Sequence, residues 1–172
     1  YTGPLFVKYN AVLRGLDSPV LFLRCEMVRL CGSEEDAAAQ PHTDAFEAAL
    51  SRVNKYTTTL HAINSAIVKL GKLTVASKVY RGVHDFVLPD QFWTPNKYGV
   101  RGGIDGAFMS STLDRETAMA YARGRGDGGV GFVFEIQQGM IDRGADIGFL
   151  SQYPFEREIL FNPLTGLEVL GS

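Results

Sequence analysis

The first part of the chain carries apolar residues at three- and four-residue intervals, which is the spacing of amphipathic helices. This spacing predicts helices from Leu5 to Leu13 and from Pro19 to Cys31. A longer helix is predicted from Asp44 to Leu70, because its start has the spacing of a capping box and Gly71 is a natural stop. We therefore expect residues 1–72 to form a helical lobe.

From residue 73 onward, apolar and polar residues alternate over short segments, as they do in strands with one buried face. Five strands are predicted, namely Lys78–Val83, Ala107–Thr112, Val130–Ile136, Glu158–Phe161 and Gly166–Leu170. A short helix is predicted from Asp114 to about Ala122. The pattern indicates an α+β fold, in which the helical lobe precedes a mostly antiparallel sheet core formed by residues 73–172, together one compact unit.

Composition and charge are those of an ordinary globular domain. Apolar residues make up 45% and charged residues 21% of the 172 residues, which is enough for a core. The net charge of −2 comes without a run of like charges, so no nucleic-acid partner is indicated. No apolar stretch approaches membrane-spanning length. The chain begins at Tyr1 without an initiator Met, so we interpret it as a mature fragment or excised domain, and we expect a monomer.

The cysteines and histidines give little indication of a disulfide bond or a metal site. Cys25 and Cys31 lie six residues apart in a predicted helix, on faces that do not meet, so we expect reduced thiols. Reduced thiols favour an intracellular setting. Two cysteines and three scattered histidines (His42, His61 and His84) predict no metal site.

Two segments place polar groups where strands normally carry apolar ones. In Tyr80 to Gly82, an Arg lies inside an apolar strand beside a Gly, which suggests an anion held close to the main chain. An edge-strand Arg that reaches out to solvent is the alternative. In Ser110 to Thr112, three consecutive hydroxyls follow an apolar pair. They could instead cap the helix that begins near Asp114.

A third segment carries two acids, Glu156 and Glu158. Residues two apart on a strand share a face and stand roughly 6.5–7 Å apart, so both acids could look into one cleft while Arg157 points away. A solvated strand face is the alternative. Glu158, however, runs straight into Ile159-Leu160-Phe161, a core-like segment in which an idle acid is costly.

Together, the three segments resemble the arginine-serine-glutamate class of mono-ADP-ribosyltransferases, which includes vertebrate arginine-specific ecto-enzymes and several bacterial toxins. That class has an Arg on its first core strand, an aromatic-x-Ser-Thr-Ser motif on the next, and Glu-x-Glu or Gln-x-Glu at a strand start. Here Arg81, Ser110, Glu156 and Glu158 occur in the same order, although the motif ends in Ser-Thr instead of Thr-Ser. The resemblance covers roughly residues 73–170 and implies the split sheet of this class.

The resemblance also implies the chemistry of the site, with NAD as co-substrate and no metal. Glu158 would bond the 2′-hydroxyl of the nicotinamide ribose and stabilise the positive charge that develops there. Ser110 would orient Glu158, and Arg81 would hold the phosphate or ribose region of NAD. The main chain of Gly82 would approach the nicotinamide amide, and Phe108 would either stack on the nicotinamide or fill the core. We expect Arg81, Ser110 and Glu158 to face one cleft.

The acceptor is implied in the same way. Glu156 would receive the guanidinium of a target arginine, because an acid attracts a cation and the Gln of related enzymes does not. The loop from Asp146 to Phe155 would contact the target protein, with Tyr153 or Phe155 as the aromatic contact. The implied partner is thus a protein substrate, whose identity the sequence leaves open.

Other functions would use the same residues. An NAD glycohydrolase delivers ADP-ribose to water and needs Arg81, Ser110 and Glu158, but it has less need of Glu156. A module that binds NAD or a partner without catalysis is an alternative of another class, against which the intact motif positions argue. A retaining glycosidase is excluded, because acids two apart on one strand cannot flank a sugar from opposite faces.

Overall fold

The computed structural model describes residues 5–14, 54–124 and 130–171. Within these ranges the α-helices are Phe6–Arg14, Thr57–Gly71, Asp90–Trp93 and Arg115–Arg123. The strands are β1 (Lys78–His84), β2 (Gly102–Asp105), β3 (Met109–Thr112), β4 (Gly131–Gln137), β5 (Ala145–Asp146), β6 (Glu158–Phe161) and β7 (Thr165–Glu168). Two single-turn 3-10 helices, Gly148–Leu150 and Pro154–Glu156, lie between β5 and β6. The predicted helix Pro19–Cys31, with both cysteines, lies outside the described residues.

All strand pairings among the described residues are antiparallel. One sheet has the order β4-β1-β3-β6-β5, and a second sheet consists of β2 and β7. β1 pairs with β4 along its whole length, from Lys78 opposite Gln137 to His84 opposite Gly131. Its pairing with β3, in contrast, is limited to Tyr80 opposite Thr112. The predicted combination of helices with a mostly antiparallel sheet core is confirmed.

The core of the larger sheet lies on its central strands. Val79, Met109, Ile159 and Phe161, from three neighbouring strands, form one buried cluster against which Leu167 of the second sheet packs. Burying each large apolar side chain contributes roughly 1.5–3 kcal/mol. All four residues of β6 are buried. The strand that begins with an acid is therefore one of the most buried parts of the described chain.

The Arg115–Arg123 helix packs directly on β1 and β4. Asp114 is its N-cap, because its carboxylate accepts hydrogen bonds from the main-chain N–H groups of Glu116 and Thr117. The buried residues of the helix are Ala118 and Ala122, both small. A side chain on Gly82 or Gly131 would overlap the carbonyl groups of these alanines, so the close approach needs glycine in both strands. The predicted helix after Asp114 is confirmed, and its packing positions β1.

The predicted helix from Asp44 to Leu70 is wrong as a continuous element. Residues 54–56 are not helical, and the helix begins at Thr57 and ends at Gly71. Asn54 Oδ1 accepts a hydrogen bond from Tyr56 N, and Tyr56 has a positive φ of 49°. This local turn keeps residues 54–56 out of the helix that begins at Thr57. Residues 44–53 lie outside the described residues.

Two short strands were not predicted, and four of the five predicted strands have different ends, although β1 and β4 differ by no more than one residue at either end. β2 is missed because two of its four residues are glycine, and β5 because it has only two residues. Ala107 and Phe108 precede β3 rather than belonging to it, and β7 begins at Thr165 and ends at Glu168. None of these differences changes the order of the core strands.

The chain divides into two compact units, with the boundary between His61 and Ala62 inside the Thr57–Gly71 helix. The first unit contains the Phe6–Arg14 helix, which confirms the predicted Leu5–Leu13 helix. The second unit contains both sheets. The division at residue 72 stays a prediction. None of the described helices is long and apolar enough to cross a membrane.

Candidate active site

The first feature of the site is the acid that begins β6. Glu158 is only 8% exposed. The hydroxyl of Ser110, on the neighbouring strand β3, donates a hydrogen bond of 2.6 Å to Glu158 Oε1. This is the length of a charge-assisted bond to a carboxylate. Ser110 therefore fixes the orientation of a buried acid.

The other two hydroxyls of the motif also bond to the segment around β6. Ser111 donates to the main-chain oxygen of Ile159 at 2.9 Å, and Thr112 donates to that of Glu156 at 2.6 Å. Thr112 also accepts from Asp114 N, but Asp114 itself caps the following helix. Helix capping therefore does not explain the three hydroxyls. They join β3 to the acidic segment.

The surroundings of Glu158 disfavour its charged form. Burial raises the pKa of Glu158 above its ordinary value, and the hydrogen bond from Ser110 opposes this shift. The negative charge of Glu156 raises the pKa of Glu158 further. A carboxylate of this kind interacts strongly with a positive charge that develops beside it, because little water screens the interaction.

Glu156 does not lie on the strand. It ends the 3-10 helix Pro154–Glu156, and Arg157 between the two acids is left-handed, with φ 47° and ψ 52°. The predicted placement of both acids on one strand face is therefore wrong. Their proximity comes from the turn instead, as the effect of the Glu156 charge on the pKa of Glu158 indicates.

The side chain of Glu156 is held by a residue that the sequence did not single out. The hydroxyl of Tyr121, in the Arg115–Arg123 helix, donates a hydrogen bond of 2.7 Å to Glu156 Oε1. This bond raises the pKa of Tyr121 to about 12, with smaller contributions from burial and from the charges of Glu156 and Glu158. The phenol is therefore protonated at physiological pH and acts as a donor.

Arg81 contacts the site through the main chain of Ser110. Its Nη1 donates to the main-chain oxygen of Ser110 at 2.6 Å, and its Nη2 lies 3.7 Å from Asp105 Oδ2. Since Tyr80 pairs with Thr112, the side chain of Arg81 leaves β1 on the face opposite to the side chains of Ser110 and Glu158. The guanidinium contacts the main chain of Ser110, and the expectation that Arg81, Ser110 and Glu158 face one cleft stays a prediction.

Two residues predicted to bind NAD have packing roles in the structure. Phe108 is 1% exposed, so its ring fills the core and presents no accessible face to a nicotinamide. Of the two predicted roles, the structure favours core packing. At Gly82, the direction in which a side chain would project is occupied by the Arg115–Arg123 helix. Helix packing accounts for this glycine, and its approach to the nicotinamide stays a prediction.

The loop that precedes β6 exposes apolar side chains. Tyr153 and Phe155 are 49% and 72% exposed, and their rings meet edge to face with centroids 6.0 Å apart. Phe149 and Leu150, from the contacting 3-10 helix Gly148–Leu150, are also exposed. This aromatic loop, residues 148–155, leads directly into Glu156. Exposed apolar groups clustered beside polar ones are typical of a surface that contacts another protein.

The described residues contain no group of three or more His, Cys, Asp or Glu side chains that could hold a metal ion. The acids of the site are held by hydroxyl groups and a guanidinium instead. Sequence reasoning missed Tyr121 and Asp105. Asp105 follows a Gly-Gly-Ile run, and Tyr121 lies in an Ala-rich helix, so neither has a local signal of its function.

The chain is similar to known proteins in sequence and in fold. A family model described as NAD:arginine ADP-ribosyltransferase matches residues 41–172. A search of curated proteins by sequence finds no match.

Among solved structures, ADP-ribosyltransferase HopU1 of Pseudomonas syringae pv. Tomato DC3000 is similar with a TM-score of 0.60 and 23% identity. The match covers 98% of this chain and 59% of the HopU1 chain, so this chain spans well under the full length of that relative. ADP-ribosyltransferase Vis, solved with the M6 inhibitor, gives a TM-score of 0.50 and 17% identity over 99% of this chain and 70% of its own. At these identities the similarity concerns the fold. With a family match across most of its length, the chain belongs to the NAD-using ADP-ribosyltransferases.

Proposed function

We propose that the protein transfers ADP-ribose from NAD to an arginine side chain of a target protein and releases nicotinamide. The observation that carries the proposal is the pair of acids before and at the start of β6. Glu158 is buried and fixed by Ser110, whereas Glu156 is partly exposed and fixed by Tyr121. Glu158 is suited to stabilise the charge on the ribose, and Glu156 is suited to bind an incoming cation.

Glu158 is placed to stabilise the cleavage step. The bond between C1′ of the nicotinamide ribose and the nicotinamide nitrogen breaks, and its electron pair leaves with nicotinamide. The ribose then carries positive charge. A buried carboxylate, held by Ser110 at 2.6 Å, stabilises that charge and can accept a hydrogen bond from the 2′-hydroxyl. Because the acid is already oriented, little reorganisation is needed as the charge develops.

Glu156 is placed to receive the acceptor. A guanidinium nitrogen forms the new bond to C1′ and loses one proton, so the product keeps a charged, substituted guanidinium. The carboxylate of Glu156 can bind the planar guanidinium through two parallel hydrogen bonds and take up that proton. An acid at this position therefore favours arginine over a neutral acceptor.

Arg81 is placed to hold an anionic part of NAD. Its guanidinium is fixed by the Ser110 carbonyl and lies near Asp105, and its side chain remains 22% exposed. The pyrophosphate of NAD is the natural partner of such a cation. The aromatic loop, with Tyr153 and Phe155 exposed, is the proposed contact for the target protein.

The test is incubation of the protein with NAD labelled in its adenylate part, with and without a small arginine analogue. Label on the analogue supports the proposal. Release of free ADP-ribose alone would support an NAD glycohydrolase instead, and no turnover would support a module that only binds. The glycohydrolase is the second candidate because Arg81, Ser110 and Glu158 suffice for it.

A pair of matched variants tests the assignment of the acceptor. Glu156→Gln should reduce label on the arginine analogue while NAD cleavage continues. Glu168→Gln removes an acid from the exposed side of β7 and serves as the control. If Glu156→Gln transfers label as well as the control does, the acid is not the acceptor site and the argument for arginine fails.

A further inference from the structure

Tyr121 lies at the surface, and its hydroxyl makes a hydrogen bond to an acid of the site. The residue is 56% exposed, so the core does not require its phenol to find a partner. The hydroxyl nevertheless bonds to Glu156 Oε1 at 2.7 Å, across 35 positions of sequence. The bond connects the Arg115–Arg123 helix to the turn before β6. A surface tyrosine that reaches a carboxylate of the site calls for a functional explanation.

The main chain of Glu156 is already fixed without Tyr121. Thr112 donates to its carbonyl oxygen at 2.6 Å, and its N–H donates to the carbonyl of Tyr153 at 3.0 Å. These bonds leave the carboxylate free to rotate about the side-chain bonds of the glutamate. The hydrogen bond from Tyr121 restrains that remaining freedom.

We propose that Tyr121 is a positioning residue, which holds the Glu156 carboxylate in the orientation that receives the acceptor guanidinium. The proposal rests on the proposed function, since it assigns Tyr121 to the acceptor step of that reaction. A carboxylate has about four hydrogen-bond acceptor positions, so one bond from Tyr121 leaves room for the two bonds of a guanidinium. Among the described hydrogen bonds the phenol bonds to Glu156 and not to Ser110 or Arg81, so we assign it to the acceptor step.

The protonation state of Tyr121 suits this role. Its pKa of about 12, raised chiefly by the bond to Glu156, keeps the phenol protonated at neutral and mildly alkaline pH. Tyr121 therefore donates to the carboxylate but does not compete with it for the proton that the acceptor loses. Its contribution should be independent of pH between about 6 and 9.

The experiment uses Tyr121→Phe, which removes the hydroxyl and keeps the ring. Two rates are measured with labelled NAD: transfer to a small arginine analogue, and cleavage of NAD without an acceptor. We expect kcat/KM for the analogue to fall about tenfold or more, as for loss of a hydrogen bond to a charged group. NAD cleavage should stay within about twofold of wild type, and the loss of transfer should be similar at pH 6 and 9. Tyr56→Phe, which removes a phenol from the other compact unit, is the control.

A double-variant cycle separates positioning from a structural effect. In the Glu156→Gln background, Tyr121→Phe should have little further effect on transfer, because the group that it positions is absent. A full additional loss in that background, or an equal fall in transfer and NAD cleavage, would overturn the inference. If the wild-type protein transfers ADP-ribose to the analogue and Tyr121→Phe transfers it equally well, only this inference is overturned. Absence of wild-type transfer overturns the proposed function and this inference with it.

Discussion

A Cβ atom on Gly82 would lie 1.8 Å from the carbonyl oxygen of Ala118. The Arg115–Arg123 helix therefore lies as close to β1 as the main chain allows. The same helix carries Tyr121, and β1 carries Arg81. One contact thus sets the relative position of two parts of the site.

Gly82→Ala should destabilise the second compact unit, because the helix must move away from β1. Overpacking of this kind typically costs about 1–3 kcal/mol, and here the clash is with main chain, which cannot rotate aside. Urea denaturation measures the free energy of unfolding. Gly166→Ala is the control, since a Cβ there meets nothing within 4 Å. Equal stability of the two variants would contradict the packing argument.

Glu158→Gln should lower the rate of NAD cleavage by about 10²–10³-fold, as does loss of one preorganised electrostatic contact in other enzymes. The same variant should unfold at a higher temperature than wild type. Thermal unfolding and NAD cleavage are measured on the same preparation. Full activity would refute the assignment of Glu158, whereas a lower unfolding temperature would contradict the stated cost of its buried charge.

The sign of the stability change follows from the raised pKa of Glu158. The folded state holds this proton more tightly than the unfolded state does, so stability falls as the pH rises through the folded pKa. At neutral pH the ionised carboxylate therefore reduces stability. A neutral amide of the same shape removes that penalty and still accepts the bond from Ser110.

The pH dependence of NAD cleavage should report the same group. If ionised Glu158 is required, kcat/KM falls as the pH drops through its raised pKa, so the acidic limb lies above the ordinary range of a glutamate. Glu156→Gln should move this limb to lower pH, because it removes a negative charge that raises the pKa. Ser110→Ala should move it to higher pH, because it removes a bond to the charged form. Shifts in the same direction would show that another group titrates.

Arg157 provides a test of backbone strain between the two acids. Its left-handed conformation costs a non-glycine residue about 1–2 kcal/mol. Arg157→Gly should therefore leave the thermal midpoint unchanged or raise it, while Arg157→Val should lower it, because a β-branched residue tolerates this conformation least. Arg157→Ala serves as the reference for loss of the arginine side chain together with its charge. A valine variant as stable as the glycine variant would mean that the turn relaxes to another conformation.

The sequence predicted the site best where local pattern and chemistry coincide. Glu158 stood out because an idle acid directly before an apolar run is costly, and Ser110 because it begins the run of three hydroxyls that resembles the family motif. The position of Glu156 was mispredicted, because a 3-10 turn followed by a left-handed residue has no clear signal in Phe-Glu-Arg-Glu. Tyr121 and Asp105 could not be predicted, since their partners are distant in sequence and only the packing of the helix and strands brings them together.

The fold, like the site, could be predicted only in part from the sequence. The positions of the core strands along the chain followed from period-two alternation, but the face of Arg81 did not, because it depends on the register of β1 against β3. The non-helical residues before Thr57 were not predicted, because apolar residues continue at helical spacing on both sides of them. Local turn chemistry at Asn54 decides the start of that helix, not periodicity.

The three hydroxyls of Ser110, Ser111 and Thr112 each reach the segment around β6 through a side chain with a single heavy-atom torsion. Such short groups lose little conformational entropy when they are fixed, in contrast to a long lysine or arginine. The carboxylate of Glu158 is therefore oriented before any ligand binds, at a small cost in conformational entropy. Binding energy from NAD can then be used to bring the sugar to the carboxylate, rather than to order the carboxylate itself.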